Sequence, residues 1–171
     1  MAVSSFFRCK IKLLHKKSPF SIFFRTHAIK TREEFADPTA DDYNNRLINA
    51  LKELPSRPAP YVVHCMEGKD RTGYVCALLE GLCGATYDEI VADYLITYNN
   101  YYKITPEKDR DLCNTLVSLR LNTCLMFYAG VDDEAQLPNV DYAKAFSNYL
   151  LSHGMSAQQL DALIKVLTVN P

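Results

Sequence analysis

The stretch that decides the reading runs from residue 61 to residue 74: Tyr61-Val62-Val63-His64-Cys65-Met66-Glu67-Gly68-Lys69-Asp70-Arg71-Thr72-Gly73-Tyr74. It opens on a short apolar run, Tyr61 to His64, whose pattern predicts a buried strand. A glycine-containing turn follows. A helix is then predicted to open at about Arg71–Thr72, because Val75, Leu78, Leu79 and Leu82 recur at i, i+3, i+4 and i+7. Five residues separate Cys65 from Arg71. A loop of that length can curl until its backbone N–H groups converge on one centre, and Gly68 permits the φ/ψ that such a curl needs. The helix N-terminus adds partial positive charge and unsatisfied donors. Arg71 supplies a planar fork that matches two oxygens of a phosphate. The segment reads as a cradle for a tetrahedral oxyanion, with a sulfur at its floor.

The same field acts on that sulfur. Helix N-termini and cationic neighbours lower a thiol pKa from ~8.5 to about 3.5–7.5, so Cys65 is expected to be a thiolate at neutral pH. A thiolate beneath a bound phosphate is poised for nucleophilic attack. The leaving oxygen then needs a proton, and Asp70, inside the loop, is the candidate general acid. The expected intermediate is a phosphocysteine that water hydrolyses in a second step. Met66, Glu67, Gly68, Lys69, Asp70 and Arg71 are the candidate phosphate-binding residues. Lys69 reads either as a substrate contact or as a solvated charge that adds positive potential, and the Glu67 side chain as solvent-facing.

The string His-Cys-x5-Arg-Thr resembles the phosphate-binding loop of the cysteine-dependent protein tyrosine phosphatases. The fuller string H-C-x-x-G-K-D-R-T-G, His64 to Gly73, is similar to a narrower branch, the bacterial tyrosine and lipid phosphatases, some of them described as triple-specificity enzymes. The resemblance implies a small, mostly parallel sheet flanked by helices, with a helical C-terminal half. It implies Cys65 as nucleophile, Arg71 as phosphate and transition-state binder, Thr72 as stabiliser of the sulfur leaving group and His64 as the group that tunes the thiolate. Lys69 is associated in that branch with acceptance of phosphoinositides. Asp70 matches the branch that carries its acid in the loop. Asp37-Pro38, 28 residues before Cys65, is the alternative acid, at the place where many members carry an Asp on a mobile loop. The implied substrates are phosphotyrosine, phosphoserine or phosphothreonine in proteins, and phosphoinositides. The similarity runs from about Glu33 to the C-terminus. Most members have more chain before the loop, so the N-terminal part of the sheet is expected to be truncated or unusually completed.

Outward from the loop, the chain reads as helices. Thr39 with Asp42 resembles a capping arrangement for a helix over 41–54, which Pro55, Pro58 and Pro60 end. Gly84 is a natural stop for the helix after the loop. Thr86 and Glu89 form a capping box for a helix over 87–102, and Ser156 with Gln159 forms another for 156–169. Helices are also expected from Thr105-Pro106 to about 128 and over 139–151. Tyr94, Tyr98, Tyr101 and Tyr102 read as helix packing, with a wall for an aromatic substrate as the alternative. Residues 6–14 and 20–24 read as strands. Fold class is therefore α/β, with residues 1–30 a basic segment and 31–171 the catalytic domain.

Composition narrows the partners. The 171 residues are 48% hydrophobic and 23% charged, with a net charge of −1; there is no global basic field of the kind that drives nucleic-acid binding. Residues 1–30 carry seven Lys or Arg and no acid, which reads as a solvated edge or as a surface for anionic lipid or nucleic acid. No apolar run approaches the ~20 residues of a membrane span, so stable insertion is not expected. Charges interrupt every candidate signal-peptide core, and six cysteines without a CxxC pair read as free thiols in a reducing, cytoplasmic compartment. His15, His27 and His153 have no partners at metal-ligand spacing, so neither metal nor cofactor is expected.

Two other chemistries use a related segment. A rhodanese-like sulfurtransferase also places a Cys in an anion-binding loop, but the long Cys-to-Arg spacing and Lys69-Asp70 favour a phosphatase. Gly68-Lys69 superficially suggests a nucleotide-binding P-loop, but Val63 stands where its first Gly is required and Asp70 where Ser or Thr is required. A catalytically impaired phosphate-binding module is the remaining alternative.

Overall fold

A computed structural model describes residues 39–57, 61, 63, 65 and 68–168. Seven α-helices carry the architecture: α1 Asp41–Glu53, α2 Asp70–Leu82, α3 Tyr87–Tyr102, α4 Arg110–Leu116, α5 Thr123–Ala129, α6 Tyr142–Ser152 and α7 Ala157–Thr168. Short 3-10 turns lie at Leu54–Ser56 and Glu134–Asn139, and a π-helical turn, Val117–Asn122, joins α4 to α5.

The expected α/β class, a small and mostly parallel sheet flanked by helices, is corrected: among the described residues there is no strand, and Tyr61 alone takes part in an isolated bridge. The cause lies in what an apolar run encodes. Tyr61 and Val63 are buried, at 2% and 6% exposure, within the same core cluster as the helices. Burial alone therefore explains their hydrophobicity, and so short an apolar run cannot by itself distinguish a strand from any other buried segment. Pro55, Pro58 and Pro60 also remove amide donors just upstream, where a ladder would need them. The expected strands 6–14 and 20–24 lie outside the described residues.

Helix α2 is the centre of the molecule. It packs against α3, α5 and α6, and its residues from Tyr74 to Leu79 are buried without a break. A helix apolar all round belongs in a core rather than at a surface. The closeness of its neighbours is set by two glycines. A Cβ on Gly73 would come within 2.7 Å of the Tyr94 ring on α3, and a Cβ on Gly81 would collide with the fully buried Phe146 on α6. Around this axis Leu78, Leu79, Leu121, Leu125, Tyr128, Phe146 and Leu150 form the core, each at most 1% exposed. α7 closes the other side against α1 and α6, with Leu160, Leu163 and Leu167 buried.

Local chemistry sets the helix ends. Both halves of the α3 capping box form: the Glu89 carboxylate accepts the Thr86 N–H at 2.7 Å, and the Glu89 N–H donates to the Thr86 hydroxyl at 3.4 Å. Ser156 and Gln159 make the same reciprocal pair before α7 (2.9 and 3.2 Å). The cap of α1 falls on Ala40 rather than Thr39, and no side chain closes it. The helix expected from Thr105 begins instead at Arg110, because Asp109 folds back to accept the Thr105 N–H at 3.2 Å. No helix among the described residues is long and apolar enough to cross a membrane.

Candidate active site

The loop meets α2 at its N-terminus, where the first N–H groups have no intrahelical acceptor. Gly68 takes φ +77°, a left-handed conformation that its missing Cβ makes accessible. That turn aims the Gly68 N–H at the Cys65 sulfur, 3.2 Å away. Lys69 precedes the helix and Asp70 is its first residue. Arg71 follows, half-buried, on the first turn. Cys65 is itself half-buried and outside any disulfide. Cys65, Gly68, Lys69 and Arg71 are thus brought to the N-terminal end of α2.

Thr72 is 2% exposed, and its hydroxyl makes no hydrogen bond. A buried hydroxyl without a partner costs about 1–3 kcal/mol, which is a cost a fold tolerates where the group has another use. The Lys69 ammonium lies 3.4 Å from the Tyr102 hydroxyl and 5.4 Å from the centre of its ring, a cation–π placement that leans the side chain toward the end of α3. The tyrosine group divides. Tyr94 and Tyr98 are buried and share a 3.2 Å hydroxyl contact, whereas Tyr101 and Tyr102 are exposed and Tyr102 meets Lys69. Packing therefore accounts for the first pair and leaves the second at the rim.

Asp70 faces a charged partner from another element. Its side chain is 23% exposed, its Oδ1 is buried without a hydrogen bond, and that oxygen lies 3.8 Å from a guanidinium nitrogen of Arg120. The carboxylate lies within electrostatic range of the Tyr74, Tyr94 and Tyr98 hydroxyls, all held protonated above their usual range by burial first of all. Arg120 is held protonated more firmly than usual, chiefly by Asp70. The sequence reading missed Arg120 because it lies fifty residues downstream in an apolar helix; its only local signal is a lone base between two leucines. Asp37, His64, Met66 and Glu67, expected at or near the site, lie outside the described residues, as do His15 and His27. His153 sits away from the loop, with its imidazole against Tyr149, 4.3 Å between ring centres. Among the described residues no group of three or more His, Cys, Asp or Glu side chains is arranged to hold a metal.

With that geometry in place, the sequence profile described as the tyrosine phosphatase family matches residues 24–169. This chain belongs to the tyrosine phosphatase family. Among its relatives is a protein named triple specificity protein phosphatase PtpB, from Mycobacterium tuberculosis, 44% identical over 50 residues. That match covers 29% of this chain and 18% of the relative, so the chain spans less than a fifth of the length of the curated relative it matches.

A small cavity between α2 and α3 is lined by Gly68, Gly73, Glu80, Asp93 and Tyr94, among others. Burial raises the Asp93 carboxyl above its usual range, and a hydrogen bond with Glu80 partly offsets this. A carboxyl raised on folding contributes stability that is complete below its unfolded pKa, about 3.9, and lost as pH rises through the folded value. Asp93→Asn removes that loss. The variant is expected to melt a few degrees above the wild type at pH 7.5, with the difference vanishing below about pH 4. Differential scanning calorimetry across that range reads it, and parallel curves would contradict it.

Proposed function

We propose that this chain hydrolyses phosphate monoesters, phosphotyrosine foremost and phosphoserine, phosphothreonine and phosphoinositides besides, through a phosphocysteine intermediate. The observation that carries the proposal is the Gly68 N–H aimed at the Cys65 sulfur, 3.2 Å away, at the N-terminus of α2. A donor aimed at sulfur favours its anionic form, and the helix end attracts both that anion and the incoming phosphoryl group.

In the first step the Cys65 thiolate attacks phosphorus. An S–P bond forms, the P–O bond to the alcohol or phenol breaks, and the departing oxygen takes a proton from the Asp70 carboxylic acid. Arg71 and the loop N–H groups hold the three equatorial oxygens, where charge gathers in the transition state. In the second step a water attacks the phosphocysteine and gives its proton to the Asp70 carboxylate. The S–P bond breaks, inorganic phosphate leaves, and the sulfur departs as a thiolate that the unbonded Thr72 hydroxyl stabilises. Asp70 returns to the acid form, so the cycle closes without a cofactor.

Three observations support parts of this reading: family membership, the buried and unbonded Asp70 oxygen, and the triple specificity in the mycobacterial relative's name. Lys69, leaning on Tyr102 at the rim, is the side chain we assign to a second anionic group on the substrate. The test compares phosphate release from a phosphotyrosine peptide, a phosphoserine peptide and phosphatidylinositol phosphate vesicles, with a metal chelator present throughout. We expect turnover of the tyrosine peptide that vanadate inhibits, and selective loss of vesicle turnover in Lys69→Ala. Phosphate binding without turnover of any of the three would contradict the proposed activity. Equal vesicle turnover by Lys69→Ala would remove the role given to Lys69 alone.

A further inference from the structure

Arg120 stands on the π-helical turn Val117–Asn122. Such turns admit an extra residue and locally redirect the side chains that follow. This one is fastened on both flanks by a single carboxylate. Glu134 accepts the Ser118 hydroxyl at 2.8 Å and the Asn122 amide at 2.7 Å, and the Tyr87 hydroxyl donates to Asn122 at 3.1 Å. Val117, Leu121 and Asn122 are buried beside it. The backbone that carries Arg120 is therefore held independently of the phosphate loop, while its guanidinium, 53% exposed, reaches back to Asp70.

The charges at that end of α2 pose a problem for a general acid. Asp70 is flanked in sequence by Lys69 and Arg71. Pairing with Arg71 would turn the phosphate ligand away from phosphate. The ion pair of Asp70 instead runs to Arg120, at 3.8 Å, too long for a hydrogen bond but close enough for charge attraction. Attraction of that kind is full for the carboxylate and persists, weaker, as a charge–dipole contact with the neutral acid, so it fixes where the carboxyl sits without occupying its oxygens as donors or acceptors.

We propose that Arg120 is the positioning residue of Asp70: it draws the carboxyl toward the π turn, keeps it off Arg71, and presents its remaining oxygen to the leaving group. This rests on the reading of Asp70 as general acid. Arg120 touches neither the phosphoryl group nor the sulfur in this scheme, so its loss impairs proton transfer rather than phosphate capture.

Leaving-group dependence separates those effects. p-Nitrophenolate departs readily without a proton, whereas phenolate needs one. Arg120→Met is expected to lower kcat for phenyl phosphate about thirtyfold and for p-nitrophenyl phosphate only about threefold, with KM for both within about twofold. Arg120→Lys keeps the charge and is expected to recover most of the phenyl phosphate rate. Because the Arg120 side chain is half exposed, the melting temperature should stay within a few degrees of the wild type. Equal loss on both substrates, or a loss confined to KM, would overturn the inference. Asp70→Asn is run alongside. If it shows the leaving-group dependence and Arg120→Met does not, the inference fails and the acid assignment stands. If Asp70→Asn shows none, the acid assignment fails and this inference with it.

Discussion

Cys65→Ser is expected to reduce phosphate release from p-nitrophenyl phosphate and from phosphotyrosine peptide by about 10⁴-fold or more. The reasoning begins with the atom exchanged. A thiol lies near enough to neutrality for a helix N-terminus and one aimed amide to ionise it, whereas an alcohol remains protonated in the same field. The Gly68 N–H that meets the sulfur at 3.2 Å then finds a neutral hydroxyl, and the attacking anion is gone. The proposed cradle is not removed, since its donors are backbone N–H groups, the helix end and Arg71. The serine variant is therefore expected to bind inorganic phosphate or vanadate and to melt within a few degrees of the wild type. Loss of turnover with retained anion binding separates the nucleophile from the scaffold. Turnover surviving in a folded serine variant would mean that the attacking atom is elsewhere.

The second large effect falls on Arg71. Replacing Arg71 by Ala is expected to lower kcat by about 10³-fold, the order seen when a main stabiliser of transition-state charge is deleted. Arg71→Lys is expected to recover only part of it, because an ammonium restores charge but not the planar pair of donors that matches two phosphate oxygens. The position supports this assignment: the first turn of α2, half-buried, one residue from Asp70 and one from the buried Thr72. Steady-state kinetics on the three proteins decides it. Full recovery by lysine would reduce the role of Arg71 to charge, and an alanine variant slowed less than about tenfold would remove it from the transition state.

What was legible in the sequence was whatever a few neighbouring residues determine among themselves. Thr86 with Glu89 and Ser156 with Gln159 form their caps as read, because each hydrogen-bond pair closes within one turn. The stripe from Val75 to Leu82 is buried as read, since period 3.6 specifies a face whatever lies against it. The Cys65-to-Arg71 interval carried the phosphatase reading because spacing within a loop is local. The expected sheet was not legible in the same way. A strand is defined by its neighbours, and the burial of Tyr61 and Val63 is equally satisfied by surrounding helices. Arg120 was illegible for a stronger reason. Its meeting with Asp70 depends on how the rod of α4, π turn and α5 lies across α2, and on a Glu134 clamp that joins residues twelve and sixteen apart. No short-range pattern records either. Tyr94 and Tyr102 show the limit within one helix: eight residues apart, one is 4% exposed and the other 47%, because α3 outruns the core that covers its first turns.

The central claim is covalent, so the most direct measurement looks for the bond. Enzyme mixed with excess phosphotyrosine peptide, quenched in acid within the first turnovers and digested, is expected to yield the peptide carrying Cys65 with one added phosphoryl group. With p-nitrophenyl phosphate, whose leaving group needs no proton, the Asp70→Asn variant, slowed in the hydrolytic step, should accumulate more of it, and Cys65→Ser should yield none on either substrate. An enzyme that turns over fully while its Cys65 peptide stays unmodified under these conditions, or a phosphoryl group found on another residue, would contradict the account.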